Sequence, residues 1–515
     1  MASRSLMGVI VFLVISAAAT AEPNDWAHYG HTAARHSIAV DGPNTIDSGT
    51  LAWNAWEDPC YPGYYVEFEG ATGPVVYDGK VYGYAKFYEP NEFGPGGFDY
   101  VASQVISFDA NSGAALWATV IDQAIWDSWS SPCVDAKHDT VLIGSGTKLY
   151  ALDADAGGVI WSTQLEKMTI NASVCVALDI PFARAFITDY DGFGDTGKLY
   201  CVNLDPNVAS NLYEPGEIVW SDGIGGSSGN SPAYADGVVY VGSVSEPPGS
   251  VVSGGTIHAY DATSSTVSKL WEATDPNFEG FFGGLVVTKA GYIYAANYDF
   301  FDNEDNSALC KIDCSDGSVV WFTAVERTQS IPIVVGDRIY ISAGMDGFGS
   351  RPKVEAYQDL GSSATKLWET PAGMVVGGWT NQPVYANGKL YVGSIPVGGN
   401  YFGTYTDLYI FDTSKLPADP NFVIDHYSGC GNSCAVTYDS VYTIGYDGLF
   451  KFHQPALLAD ITGDGGVDGE DLYEFVKDWL YDGALGIKRA DMDVDGDVDF
   501  LDYAKLAGQW NEQLN

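Results

Sequence analysis

Lys148-Leu-Tyr-Ala-Leu-Asp153-Ala-Asp-Ala-Gly-Gly-Val-Ile-Trp161 reads as an apolar strand closed by Asp, a tight Gly turn, and a second strand that carries Trp. The same order returns in Val105-Ile-Ser-Phe-Asp109 through Trp117, Ile257-His-Ala-Tyr-Asp261 through Trp271, and Leu309-Cys-Lys-Ile-Asp313 through Trp321. Trp220 and Trp368 mark two more copies, and Phe422 is expected to stand for Trp in a seventh. Upstream of each copy lie an apolar strand, a Gly turn such as Tyr77-Asp78-Gly79 or Ala386-Asn387-Gly388, and a Val/Tyr-rich strand. Four short strands and one fixed aromatic, recurring about every fifty residues between positions 70 and 455, describe the blades of a β-propeller.

The two ends of that region complete each other. After Cys434 only three strands remain, ending at Leu449-Phe-Lys-Phe452, with no Trp strand to follow. Leu51-Ala-Trp53-Asn-Ala-Trp56 has the missing pattern at the opposite end of the chain. The expected fold is therefore all-β: an eight-bladed β-propeller over residues 22–455, closed by an N-terminal strand that leaves no open sheet edge. Seven blades is the alternative count. The repeat pattern L-Y-A-L-D-A-x-x-G-x-x-x-W, with the lead-in Asp25-Trp26 through Arg35, resembles the pyrroloquinoline-quinone-like propeller superfamily over most of residues 24–455. That resemblance implies either a quinoprotein dehydrogenase or a non-catalytic scaffold like the propeller of the outer-membrane assembly machinery, and the fold alone does not choose.

Loop lengths differ between the two faces such a ring would have. First-to-second and third-to-fourth connections are tight turns, whereas second-to-third loops such as Asp189 to Gly197, Met345 to Pro352 and Pro396 to Thr406 are long. Phe-Gly pairs recur there at Phe93, Phe193, Phe348 and Phe402, with Asp189, Asp191, Asp195, Asp299, Asp302 and Asp346 beside several copies. The blade connections of that face add Trp126, Trp129, Phe281, Phe282 and Trp379. Aromatic planes beside carboxylates suit a glycan, because the rings stack on apolar sugar faces and the acids accept hydroxyl protons. The ligand-face candidates are thus Trp126, Trp129, Phe193, Phe281, Phe282, Phe348, Trp379 and Phe402, unless these rings pack loop against loop. Asp189 through Asp195 is also a candidate for a structural cation.

The C-terminus carries one calcium-loop pattern twice. Asp460-Ile-Thr462-Gly-Asp464-Gly-Gly466-Val-Asp468-Gly-Glu-Asp471 is repeated in register by Asp491-Met-Asp493-Val-Asp495-Gly-Asp497-Val-Asp499-Phe-Leu-Asp502. Positions 1, 3, 5, 9 and 12 bear oxygen side chains, position 6 is Gly, and position 7 (Gly466, Asp497) offers its carbonyl, as a hard seven-coordinate cation requires. Two calcium ions are expected in this module, the first more weakly held because of Thr462. Leu472, Phe475, Val476, Trp479 and Leu480, then Tyr503, Leu506, Ala507 and Trp510, predict a one-sided helix after each loop. Loop plus exit helix, duplicated over residues 456–515 without a full entering helix, resembles the dockerin module of bacterial extracellular assemblies. The resemblance implies a cohesin-like domain as partner. Positions 10 and 11, small hydroxyl residues in many dockerins, are Gly469-Glu470 and Phe500-Leu501 here.

Arg4, the apolar run Leu6 to Ile15 and Ala19-Thr20-Ala21 read as a secretory signal over residues 1–21, so a secreted or cell-surface protein without a membrane span is expected. The formal charge of −43 argues against nucleic acid or anionic membrane as partners. In an oxidising compartment the eight cysteines permit disulfides, with Cys430–Cys434 and Cys133–Cys175 as pairs to consider. His28, His31 and His36 cluster in the lead-in but lack a matching ligand set. No catalytic residue is assigned: Gly-x-Ser-x-Gly and His-Glu-x-x-His are absent, and the Asp closing each third strand repeats too regularly for acid–base work. The leading expectation is a non-catalytic binding or scaffold propeller in a polysaccharide-handling assembly. The alternatives are a quinone-dependent alcohol or sugar dehydrogenase, disfavoured by the lack of the vicinal Cys-Cys pair of many such enzymes, and a polysaccharide lyase or hydrolase.

Overall fold

The computed structural model describes residues 25–90, 97–124, 126, 128–191, 196–226, 229–245, 254–299, 307–345, 350–395, 404–462, 466–479, 489–492, 498–510 and 512–513. Eight antiparallel sheets follow one another, opening at Val75, Cys133, Cys175, Ala233, Leu285, Ile333, Val384 and Ala435, and are numbered here as blades 1 to 8. Burial falls from inner to outer strand. In blade 2, Cys133–Asp135 and Thr140–Ser145 are wholly buried, whereas Val159–Gln164 is mostly exposed. Such fully buried inner strands and amphipathic outer ones are what a sheet packed between two neighbours requires.

The eighth blade closes as the sequence predicts. Leu51–Ala55 pairs antiparallel with Gly448–His453, so the strand nearest one terminus completes the sheet nearest the other. Trp53 is half-buried, as are Trp117 and Trp161, and sits in the same kind of joint. In all eight blades the pairing of third and fourth strands slips by one residue beside the Trp register position. A bulge there turns the indole toward the following blade. Trp53 Nε1 donates to Ala110 O at 3.1 Å, Trp117 Nε1 to Ala154 O at 3.1 Å, and Trp271 Nε1 to Cys314 O at 2.9 Å. The ring lies flat on a turn glycine of that blade: a Cβ on Gly157, at φ +73°, would meet the Trp117 ring at 2.5 Å. Only Gly fits both that backbone conformation and that approach. The third-strand Asp holds the turn, since Asp153 Oδ1 accepts from Asp155 N at 2.9 Å and Ala156 N at 2.7 Å.

Blade 7 departs from the expected pattern. The residue opposite Ile410, where other blades place Trp, is Asp425, not Phe422. Phe422 instead stacks on Phe411 at 4.7 Å and receives Trp368 of blade 6 edge-on at 5.5 Å. The longer turn before it removes the usual Gly, so an aromatic fills the place under the incoming indole. Asp425 Oδ2 accepts from Ile46 N at 2.7 Å and so anchors the incoming chain in place of an indole.

Around the axis, hydroxyls and amides at the start of the inner strands tie blade to blade. Ser131 Oγ accepts from Gly73 N at 3.0 Å, Ser173 Oγ from Ser131 N at 3.0 Å, Ser231 Oγ from Ser173 N at 2.9 Å, and Ser433 Oγ from Gln382 N at 3.0 Å. Two helices follow the ring, α1 (Gly469–Asp478) and α2 (Phe500–Gly508). Neither is long and apolar enough to cross a membrane.

Candidate functional site

Inner strands run from the long-loop face to the tight-turn face, so the eight blade connections converge at one end of the axis. The aromatics they carry are drawn together there. Trp129, Phe282 and Trp379 form a buried cluster with Tyr298, Met345, Ile395 and Tyr405. Trp379 Nε1 donates to Tyr298 Oη at 2.8 Å, Gln329 Nε2 donates to the same oxygen at 3.3 Å, and Trp129 meets Trp379 edge-on at 5.8 Å. Phe281 is buried beside Phe278 in the core between blades 4 and 5. This corrects the expectation that Trp129, Phe281, Phe282 and Trp379 present rings to a ligand. Their apolar area is worth more against each other at the crowded axis than in water. Trp126 is the exposed member, 68% accessible, with its ring edge against Tyr190. Phe193, Phe348 and Phe402 lie outside the described residues, as do Phe93, Asp195, Asp302 and Asp346.

The carboxylates of that face serve the loops. Asp189 is buried, accepts from Lys198 N and Tyr200 Oη, each at 2.8 Å, and has its pKa raised by burial. Asp191 accepts from Lys167 Nζ and, at 2.8 Å, from Thr196 N. Between Gly344, Trp379, Ile395 and Tyr405 the remaining gap is about 170 Å³ and closed to water. All eight cysteines are free thiols, so neither Cys430–Cys434 nor Cys133–Cys175 is bridged. Burial pushes the Cys434 thiol up to about 12 and that of Cys175 up to about 11, which leaves them inert packing residues.

At the other end the lead-in enters the channel, a role no periodicity announced. Asp25 Oδ1 accepts from Asp78 N at a tight turn of blade 1, and Ile38–Ala39 later joins blade 7 as a parallel fifth strand. Between these points the chain dips along the axis. Arg35, fully buried, donates to Tyr29 O at 2.7 Å, Val174 O at 2.9 Å, and Ser173 O and Pro232 O at 3.0 Å. Gly30, His31, Arg35 and Ser37 all hold positive φ, a strained path that persists because the blades fix it from every side. His31 stacks on Trp26 at 4.4 Å and bonds Ile38 O, while His36 Nε2 bonds Val287 O at 2.8 Å. Burial lowers His28 to about 3 and His31 to about 4, so both are neutral and serve as packing.

The C-terminal helices share one core. Val467, Phe475, Met492, Val498 and Leu506 pack together, and Val40 of the lead-in and Tyr438 of blade 8 join them. The module is thereby docked on the tight-turn side of the ring. Arg489 reaches Asp41 at 3.3 Å, and Asp41 also receives Lys389, whose pKa is lowered by burial against the pull of Asp41. A cleft of about 550 Å³, lined by Asp41, Lys389, Asp412, Asp460 and Arg489 among others, separates module and ring.

Each helix opens on a reciprocal capping box, Asp468 with Asp471 and Asp499 with Asp502. Asp471 accepts from Thr462 N at 2.9 Å and Asp468 N at 2.8 Å, while Thr462 Oγ1 donates to Asp460 at 3.3 Å. Two buried carboxylates, Asp460 and Asp471, therefore converge on one loop, and Asp491 and Asp502 are buried likewise in the second. Among the described residues no three such side chains are gathered as a formed metal site, but oxygen donors are the type a hard cation takes. The residues that could hold it are Asp460, Thr462, the Gly466 carbonyl, Asp468 and Asp471, then Asp491, Asp499 and Asp502. Asp464, Asp493, Asp495 and Asp497 lie outside the described residues.

With this geometry in hand, the family model described as outer membrane protein assembly factor BamB, a PQQ-type repeat family, matches residues 46–269 and 253–394. The chain belongs to this family. Among solved structures, the quinohemoprotein alcohol dehydrogenase of Comamonas testosteroni is 13% identical, with 84% of this chain and 78% of that one covered at a TM-score of 0.54. The alcohol dehydrogenase ADHIIG of Pseudomonas putida HK5 is also 13% identical, covering 83% and 77% at 0.51. BamB of Moraxella catarrhalis is 16% identical, covering 76% and 95% at 0.49. No curated protein gives a significant match. At these identities the BamB-type family shares its propeller with the alcohol dehydrogenases, and the likeness speaks for fold alone.

Proposed function

We propose that this chain is a secreted, non-catalytic binding or scaffold propeller, brought into an extracellular or cell-surface assembly by a calcium-dependent, dockerin-like C-terminal module. The single observation that carries the reading is the duplicated loop. In each copy the first-position and twelfth-position carboxylates are both buried, and the twelfth belongs to the capping box of the helix that follows. Buried like charges on one loop are stabilised by a cation and repel without one. Calcium would draw the ligands of each loop together and fix the two helices against their small common core. The partner is a cohesin-like domain, reached through the outward side of the helices, where Tyr473, Val476, Phe500 and Leu501 are exposed.

The test is calorimetry of the full chain with calcium and with chelator, together with capture on immobilised cohesin domains. Two transitions are expected, the lower one lost on chelation, and capture should require calcium. One transition indifferent to chelator removes the calcium claim. A calcium-sensitive module that no cohesin retains removes the partner while leaving the metal in place.

A further inference from the structure

The connection from blade 8 to blade 1 is a long-face segment that carries several exposed aromatic rings on a backbone fixed by its own bonds. Trp56, Tyr64 and Tyr65 are 39%, 54% and 65% exposed, and Tyr446 in the neighbouring tight loop of blade 8 is 59% exposed. Tyr61, Phe87 and Phe98 lie half-buried beside them. The rings form contiguous pairs: Trp56 with Tyr65 at 5.1 Å, Tyr64 with Phe98 at 4.7 Å, and Tyr61 with both Phe98 and Phe87 at 5.7 Å. A groove of about 320 Å³ leads from Trp56, Glu57 and Pro62 down the seam between the two blades.

The backbone beneath these rings is fixed by its own bonds. Asp58 N donates to Tyr64 O at 2.9 Å, Val66 N to Trp56 O at 2.8 Å, and Gly63 N to Glu57 Oε1 at 2.6 Å. Asp58 is itself buried and accepts from Cys60 N at 2.8 Å and Gln104 Nε2 at 3.0 Å. The loop thus holds large apolar rings in water with little freedom to hide them, so a ligand meets a surface already ordered.

The charge around the rings narrows the ligand. Glu57, Glu67 and Glu89 are exposed there, and Lys86 is bound to Glu67 at 2.8 Å. Such a rim repels anionic saccharides and nucleic acid, as does the net charge of −43. Hydroxyl groups, by contrast, can donate to those carboxylates while the C–H faces of the sugar rings lie on Trp56 and the tyrosines. We infer that the blade 8–blade 1 seam is a binding surface for an uncharged polysaccharide, with Trp56, Tyr64 and Tyr65 as its stacking platform. This deepens the proposed function by naming what the propeller holds, and it does not depend on the calcium module.

The test uses the full chain in sedimentation with insoluble cellulose and xylan, with polygalacturonate gel as the anionic control, each with calcium and with chelator. Retention on at least one neutral polysaccharide is expected, unchanged by chelator and absent on polygalacturonate. The triple variant Trp56→Ala, Tyr64→Ala, Tyr65→Ala should lose retention at least tenfold. Tyr65→Ser alone, at the most exposed ring, should lose it several-fold with an unchanged melting temperature, which covers a triple variant that folds poorly. No retention on either neutral polymer, equal retention by the Tyr65→Ser protein, or a wild-type dimer in ultracentrifugation that Tyr65→Ser dissociates would each overturn the assignment. Absence of cohesin capture even with calcium, with polysaccharide retention intact, would remove the proposed partner and leave this inference standing on its own.

Discussion

The two ends of the axial channel are closed by opposite chemistry. On the long-loop side Trp129, Phe282, Tyr298 and Trp379 fill the mouth with rings. On the tight-turn side a single polar segment enters, and its Arg35 is satisfied wholly by backbone carbonyls among the described residues. The apolar closure is assembled from several blades, each contributing a little. The polar closure comes from one stretch of chain, is specific in geometry, and depends on its groups keeping one protonation state.

The largest effect should follow from removing that stretch. Deleting residues 25–58 takes away both the plug and the strand that completes blade 8, so the cooperative propeller transition in calorimetry should disappear. A truncated protein that melts within about 3 °C of the full chain would break the comparison, because the plug would then be ornament. Next come Arg35→Ala and Trp379→Ala, one at each end. Each should cost about 3–5 kcal/mol in denaturant unfolding, the first through stranded carbonyls and the second through a cavity. If only one of them matters, only one end is structural.

Acid should then separate the two ends. His28 and His31 are held at about 3 and about 4 in the fold, below the ordinary value of 6.5 in the unfolded chain. Their contribution is complete above pH 6.5 and is lost as pH falls, since the unfolded state takes up protons first. At pH 5 the loss is about 2 kcal/mol for each. Comparing the pH 7.5 to pH 5 drop in stability of wild type with that of a His28→Asn, His31→Asn variant isolates this share from the many carboxylates. An identical drop in both proteins falsifies the assignment. The smallest effect belongs to Trp126→Ala, whose ring is mostly in water, with a change within about 0.5 kcal/mol. A cost near that of Trp379→Ala would show that its ring is packed after all.

The ring and its clasp were legible because most blades repeat one physical unit, a short turn after the third strand and an indole on the fourth, with Gly against the indole at Gly113, Gly157, Gly216 and Gly317, and a missing copy at one end stood out against a spare one at the other. The seventh blade was misread because an aromatic near the right spacing passes for Trp, and only strand register shows that Asp425 holds the place. Trp129, Phe282 and Trp379 were recognised as belonging together on one face, but sequence does not say how many connections crowd one axis, and crowding is what buried them. The plug was harder still. Its residues follow neither a strand nor a helix period, and its meaning lies in contacts with Ser173, Val174 and Pro232, all more than a hundred positions away. The seam aromatics Trp56, Tyr64 and Tyr65 were visible as letters, yet their exposure depends on Asp58 fixing the loop from below.

The clasp also imposes an order in time. Leu51–Ala55 is among the first strands to be synthesised and Gly448–His453 is the last blade strand to follow, about 400 residues later, so the seam cannot shut until almost the whole chain exists. Until then blade 8 presents one bare edge and the early strand another, and either can pair wrongly with a neighbouring molecule. Maturation of this protein is therefore a race between closing on itself and joining another copy, and dilution during refolding should raise its yield more than cooling does.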